Sequence, residues 1–204
     1  MLGKYKFTDK ELKVLIDSLT VIIDTREQKN DHIIKYLSDK KKTFKTQAMK
    51  FGDYSFMIPA APSLQIPRDV YFTDQIVIER KADLIELIGN LCEDGGARLE
   101  SEFIRSRGSK FYLMIEKDSY LKAVMGNYEI SPGKKSKYKP ESLIGRIKAF
   151  ESRYDLNIEW GIDPKVSGNF ILQTFKYWLR EQLKKGGLYD EAAIMPLPHL
   201  PESE

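Results

Sequence analysis

The segment IVIERKAD, residues 76–83, runs from three apolar, β-favouring positions straight into Glu79, Arg80 and Lys81, with Asp83 two residues on. Along a strand, residues i and i+2 point to the same side. Glu79 and Lys81 can therefore face one site together. A carboxylate there can hold a metal ion, and a lysine beside it can position a water nucleophile and balance phosphate charge. Metal-assisted phosphodiester hydrolysis needs this combination of Lewis acid, in-line water and local positive charge. Arg80, adjacent, can fork onto a phosphate. The plainer alternative is that Arg80 and Lys81 pair with Asp83 and Asp53 to finish a sheet edge.

Other carboxylates recur at comparable places. Asp24 and Glu27 follow the first apolar strand, and Asp53 starts a later strand just after Gly52. Asp83 begins a helix, where an acid suits the helix dipole. If these strands are neighbours, their carboxylates converge at one edge. Converging carboxylates repel one another and need a cation or a shared proton. Magnesium and manganese take such oxygen ligands.

Composition narrows the chemistry further. The chain has 204 residues, one cysteine (Cys92) and two histidines (His32 and His199). A disulfide framework and a Cys-based zinc site are excluded, so carboxylates are the metal ligands to consider. The net charge is only +3. The lysines are clustered, however: Lys40, Lys41, Lys42, Lys45 and Lys50 in one segment, Lys134, Lys135, Lys137 and Lys139 in another. Such patches attract phosphate, although a run of lysines is also an ordinary solvated face. No stretch approaches ~20 uninterrupted apolar residues, and the N-terminus lacks a signal-peptide core, so a cytoplasmic protein without a membrane segment is expected.

The elements that must position these residues follow from periodicity. Thr8 and Glu11 form a capping box, and Leu12, Leu15, Ile16 and Leu19 share a helical face. An N-terminal helix within 1–19 is expected. TVIIDT reads as a buried strand and residues 30–41 as a helix. TFKTQAMKF and DYSFMIP read as strands. Together they suggest an early β-meander. A loop over 59–74 and a basic loop over 126–140 are candidates to reach the site. QIVIE, KFYLMIE and LNIEW read as strands, interleaved with helices over ADLIELIGNL, ARLESEFIRSR and PESLIGRIKAFESRY. A long amphipathic helix ends at Gly186-Gly187, and 186–204 reads as a loosely ordered tail. Its stripe of Phe170, Ile171, Phe175, Trp178 and Leu179 is core, or else a dimer face. His32 and Cys92 read as plain helix residues. The pattern is α/β: a mixed central sheet flanked by helices.

GDY at 52–54 followed by ERK at 79–81 resembles the GD…ERKxxxD signature of the XPF-type (ERCC-four) nuclease domain. The last aspartate of that signature falls on Ile85, with Asp83 and Glu86 nearest. IIDTREQ at 22–28 resembles the family's first motif, and GGARLESEF its next helix, with an arginine at Arg98. The resemblance runs from about residue 20 to 180 and looks most like the short stand-alone versions of bacteria and phages. It implies a restriction-endonuclease-like core over 20–185 and Mg2+- or Mn2+-dependent cleavage of branched DNA at flaps, forks or junctions, in repair, recombination or replication. It implies Asp53 and Glu79 as metal ligands, Asp24 as a third carboxylate ligand or one just outside the metal's ligands, Lys81 orienting the water, and Arg80 and Arg26 on phosphate or bracing the carboxylates. Glu27 supports Arg26 or Arg80, or else is itself a ligand; Asp83 braces Arg80 or Lys81, or else only starts its helix; and Arg98, Lys134, Lys135, Lys137 and Lys139 become DNA contacts. No helicase region and no tandem helix-hairpin-helix module is expected. Substrate choice then falls to the protein's own surface, a homodimer or a DNA-targeting protein partner. A catalytically silent DNA-binding scaffold and a sequence-specific restriction-type nuclease are the competing classes.

Overall fold

The computed structural model describes residues 6–126 and 128–185. The tail expected over 186–204 lies outside the described residues. Helix α1 (Asp9–Asp17) starts at Thr8, whose hydroxyl accepts from the Glu11 N–H while the Glu11 carboxylate accepts from the Thr8 N–H. Strand β1 (Thr20–Ile23) follows, then α2 (Asp31–Asp39), β2 (Phe44–Thr46) and β3 (Tyr54–Ile58). The segment after β3 holds a 3-10 turn and β4 (Val70–Tyr71). Next come β5 (Ile76–Lys81), α3 (Leu84–Cys92), α4 (Ala97–Arg105), β6 (Lys110–Glu116) and α5 (Tyr120–Met125). A hairpin of β7 (Glu129–Ser131) and β8 (Lys134–Lys135) precedes α6 (Pro140–Tyr154), β9 (Asn157–Ile162) and α7 (Pro164–Lys185).

The main sheet has the order β2-β1-β3-β5-β6-β9, with β4 added alongside β3. Strands β5, β6 and β9 are mutually parallel, and β3 is antiparallel to both β1 and β5. The mixed sheet between helices bears out the α/β expectation. The early β-meander is corrected: β1 and β2 are parallel, joined through α2. A parallel pair needs a crossover, and the 30–41 helix supplies it.

Period-2 alternation sorts the sheet's side chains into two cores. Val21, Ile23, Phe56, Ile76, Ile78 and Met114 pack with α1, α2 and α7. Val77, Phe111, Leu113 and Ile115 pack with α3, α4 and α6. On the first face Phe56 stacks on Phe72 with ring centroids 4.5 Å apart, and Phe175 and Trp178 close around the pair. Burying each such ring stabilises the fold by about 1.5–3 kcal/mol. The α7 stripe is thus core: Ile171, Phe175 and Leu179 are fully buried. Helices α2 and α7 approach closely at Gly168, where an added Cβ would lie 2.7 Å from Tyr36 side-chain atoms.

The loop over 59–74 packs Ile66 and Phe72 into the first core, beside β4. Strand β4 pairs with Met57 and Ile58, the end of β3 opposite Asp53. That loop therefore does not reach the predicted site, because burial of its own apolar residues ties it to the other end of the sheet. Among the described residues, no helix is long and apolar enough to cross a membrane.

Candidate active site

Strand β5 is buried along its whole length, charged end included. Glu79 and Lys81 continue the face of Val77, as alternation requires, and Arg80 goes to the other face. Lys81 Nζ donates to Glu79 Oε1 at 2.7 Å, and the two side chains are 9% and 7% exposed. Burial alone pulls the Lys81 ammonium's pKa down, but Glu79 and Asp53 reverse this and hold it above the ordinary lysine value. Lys81 is therefore a fixed positive charge with protons to donate.

Asp53 reaches the same place from β3. The registered pairing of β3 with β5 is Tyr54 to Ile78. Beyond it the Asp53 N–H donates to Ile78 O at 3.0 Å, and Asp53 Oδ2 accepts from the Arg80 N–H at 2.8 Å. The carboxylate thus replaces a ladder carbonyl where the strands part. Gly52 makes the turn into this position. Its φ is +72°, and a Cβ there would sit 2.9 Å from Val77 Cβ. Gly52→Ala is expected to cost about 1–3 kcal/mol through strain and overpacking, and to reduce cleavage by displacing Asp53. Urea denaturation beside a cleavage assay checks this; wild-type stability would refute it.

Asp53, Glu79 and Lys81 lie in a cavity of about 240 Å³, also lined by Arg26, Glu27 and Arg80. Helix α3 adds Glu86 and Asn90, and α4 adds Arg98 and Glu102. Burial first, then the charge of Glu79, push the Asp53 carboxyl well above the usual aspartate range, against the pull of Lys81 and the Arg80 N–H. Burial and Glu79 likewise raise Glu102. Acids in one desolvated pocket, each raised by Glu79, are a donor set suited to a divalent cation. Asn90 adds a buried Oδ1 without a hydrogen-bond partner. Among the described residues no group of three or more His, Cys, Asp or Glu side chains is arranged to hold a metal. Asp53 and Glu79, two carboxylates in one polar cavity, would suit a cation that takes one or two protein carboxylates and keeps waters.

Several expectations change. Asp24, expected as a third ligand or as a carboxylate just outside the metal's ligands, is 1% exposed and faces its own loop. Its Oδ1 accepts from Arg26 N at 2.8 Å and Nε at 2.6 Å, and its Oδ2 from Met49 N at 2.6 Å. Burial opposes ionisation, yet these bonds from Arg26 and Met49 hold its pKa below the ordinary value. A carboxylate so occupied braces Arg26 rather than holding a metal. Arg80, expected on phosphate or bracing the carboxylates, is 5% exposed, and its guanidinium is taken up by partners within the protein. Its Nη2 donates to Lys29 O at 2.9 Å, with Glu116 at 3.3 Å and Glu27 at 3.7 Å. Asp83 braces neither Arg80 nor Lys81. It caps α3, accepting from the Glu86 N–H at 3.0 Å.

Glu27 lies beside Arg80, with Oε1 3.7 Å from Nη1, and burial raises its carboxyl's pKa. Arg26 is half exposed, with Glu102 at 3.9 Å, and Arg98 lines the cavity. Lys134, Lys135, Lys137 and Lys139 are exposed on or just after the β7–β8 hairpin and do not line the cavity. In the first basic segment, Lys45 bonds the Tyr71 hydroxyl and Lys50 pairs with Asp74. Glu86, Asn90 and Glu102 are pocket residues that strand-end reasoning passes over. Helical spacing offered a signal for Glu102, which follows Arg98 by four and so shares its face. Nothing local marks Glu116, which pairs with Arg80 across the sheet.

The ERCC4 domain matches residues 23–174. The fold is similar to that of XPF from Aeropyrum pernix, with a TM-score of 0.54 and 17% identity over 80% of this chain and 66% of that one. XPF from the same organism in complex with DNA matches with a TM-score of 0.50 and 18% identity over 85% of this chain and 68% of that one. The chain spans about two thirds of the length of those proteins. A search of curated proteins returned no match. The match extends over most of the chain and takes in both the Asp53 turn and the Glu79–Lys81 strand end; this chain belongs to the ERCC4 domain family, a family of structure-specific DNA nucleases.

Proposed function

We propose that this protein is a metal-dependent endonuclease that hydrolyses phosphodiester bonds in branched DNA. The carrying observation is the buried Glu79–Lys81 pair opening with Asp53 into one polar cavity at the ends of β3 and β5. Asp53 and Glu79 would hold Mg2+ or Mn2+, which supplies Lewis acidity at the phosphate and a water of lowered pKa. Lys81 keeps its proton at Nζ. Beyond its bond to Glu79 it has two further N–H donors, which orient the attacking water and face the charge that builds on phosphate. Arg98 and half-exposed Arg26 favour the approach of the DNA backbone. The exposed lysines Lys134, Lys135, Lys137 and Lys139 extend the phosphate-binding surface. Glu27 and Asp24 steady Arg80 and Arg26.

The DNA-bound relative supports DNA as the substrate. On this reading 20–185 is the nuclease unit, and α1 is an added helix packed on α7. Pairing as a homodimer, or with a DNA-targeting protein, is how the chain would reach junctions. The test is a set of labelled duplex, flap, fork and four-way-junction DNAs with magnesium, manganese or chelator. Cleavage at branches with either metal, and none with chelator, is expected. Cleavage of linear duplex at one fixed sequence overturns the branch preference in favour of a restriction-type enzyme. Tight binding without cleavage under any metal overturns catalysis in favour of a scaffold.

A further inference from the structure

Arg80 belongs to both faces of the sheet. Its backbone N–H holds Asp53 Oδ2 on the cavity side, while its buried guanidinium meets Lys29 O and Glu116 towards α2 and α7. There Glu116 Oε2 lies 3.3 Å from Arg80 Nε, an ion pair between buried groups in which Nε makes no aligned hydrogen bond. Glu116 is itself 1% exposed, at the end of β6. The parallel pairing with β9 shifts register between Ile115 and Glu116. Bulges of this kind re-aim side chains beside active sites. Two helices then clasp the carboxylate. His32 Nε2 on α2 lies 2.8 Å from Glu116 Oε1, and Ser167 Oγ on α7 donates to the same oxygen at 2.5 Å. The close contact of Gly168 with Tyr36 brings those two helices together at this level. A buried acid with three separate partners is over-determined for a sheet edge.

We propose that Glu116, steadied by His32 and Ser167, is a positioning residue that fixes Arg80 and, through the Arg80 backbone, the Asp53 carboxylate. The inference rests on the nuclease reading, with Asp53 as a metal ligand. The physical reason is leverage: Arg80 is the residue between Glu79 and Lys81, so its anchor sets where both side chains and Asp53 point. A displacement of about 1 Å at a catalytic group can cost ~100-fold in rate. Partners behind metal ligands typically contribute about 10–100-fold to affinity or activity.

The test uses the full chain and three readouts. Glu116→Gln keeps the shape but removes the charge. It is expected to lower kcat on the preferred DNA about 10–100-fold with KM unchanged, and to weaken manganese binding measured by calorimetry without DNA about tenfold. In an Arg80→Gln background the same change should add less than about twofold, because Glu116 acts through Arg80. His32→Gln retains a donor towards Glu116 and should stay near wild type, whereas His32→Leu should lose several-fold in kcat. A folded Glu116→Gln protein with wild-type kcat and manganese affinity overturns the proposal, as do losses that multiply undiminished in the Arg80→Gln background. A wild-type chain that cleaves no DNA but binds manganese refutes the nuclease reading alone. The calorimetric comparison then decides the role of Glu116. Absence of both cleavage and manganese binding overturns both.

Discussion

Lys81→Ala is expected to lower cleavage by at least two to three orders of magnitude and to destabilise the metal-free protein by about 3 kcal/mol. On the proposed mechanism, the rate effect follows from removing the cation that would orient water and meet developing charge. The stability effect follows from what is left behind. Glu79 Oε1 loses its partner at 2.7 Å in a site where both side chains are less than a tenth exposed. Asp53 and Glu102, which share the cavity, then face Glu79 without the intervening ammonium. Removing one member of a buried pair leaves an uncompensated charge, which costs more than the pair contributed. Two controls follow. The double variant Glu79→Gln, Lys81→Met should recover much of the stability while remaining inactive. Millimolar magnesium should stabilise Lys81→Ala by binding the folded state. Urea denaturation with chelator measures the effect. A Lys81→Ala protein within about 0.5 kcal/mol of wild type would show that the Glu79–Lys81 pair is not a buried interaction in solution.

Asp53→Asn is expected to do the opposite to stability while also abolishing cleavage. Burial and Glu79 raise the Asp53 carboxyl well above its ordinary value, so the folded protein binds that proton more tightly than the unfolded chain does. The sign follows from linkage: at neutral pH and above, the ionised group destabilises the fold. That penalty shrinks as pH falls through the raised folded value and is gone below the unfolded value of about 3.9. Asparagine removes the charge, and its carbonyl oxygen can still accept from the Arg80 N–H. Without metal, Asp53→Asn should therefore be more stable than wild type by about 1 kcal/mol at pH 8. The difference should narrow towards pH 5. With Asp53 as the proposed metal ligand, magnesium should reverse the order, since the wild type would gain from binding what the variant cannot hold. Melting curves from pH 5 to 8, with chelator and with magnesium, give the readout. A metal-free variant less stable than wild type at pH 8 contradicts the assignment of Asp53 as a strained ligand.

Local pattern carried much of this architecture. Helices α1, α3, α6 and α7 were legible from apolar spacing and caps, and β1, β3, β5, β6 and β9 from short apolar runs. Residues 47–51, read as the continuation of the β2 strand by alternation, form none, since the chain leaves the sheet there and turns through Gly52 to bring Asp53 to β5. Strands β4, β7 and β8 are two or three residues long, too short for periodicity to register.

By itself the sequence determined that Glu79 and Lys81 share a side, because strand alternation needs no knowledge of the rest of the chain. The order of the GD and ERK motifs carried the family resemblance, whereas Arg80, expected on phosphate or bracing the carboxylates, is sent to the far face by the same alternation. Only the tertiary structure decided which acids meet. Asp24 and Asp53 both sit at strand ends, and Asp24 N donates to Asp53 O at 2.8 Å. Yet Asp24 turns its carboxylate into its own loop, while Asp53 opens on the cavity. Nor could local pattern show that Arg80 finds Glu116, or that Glu102 faces Glu79, since each pair joins separate elements. Spacing along a chain dictates direction within an element; partners across elements depend on sheet order and helix packing, which are properties of the whole fold.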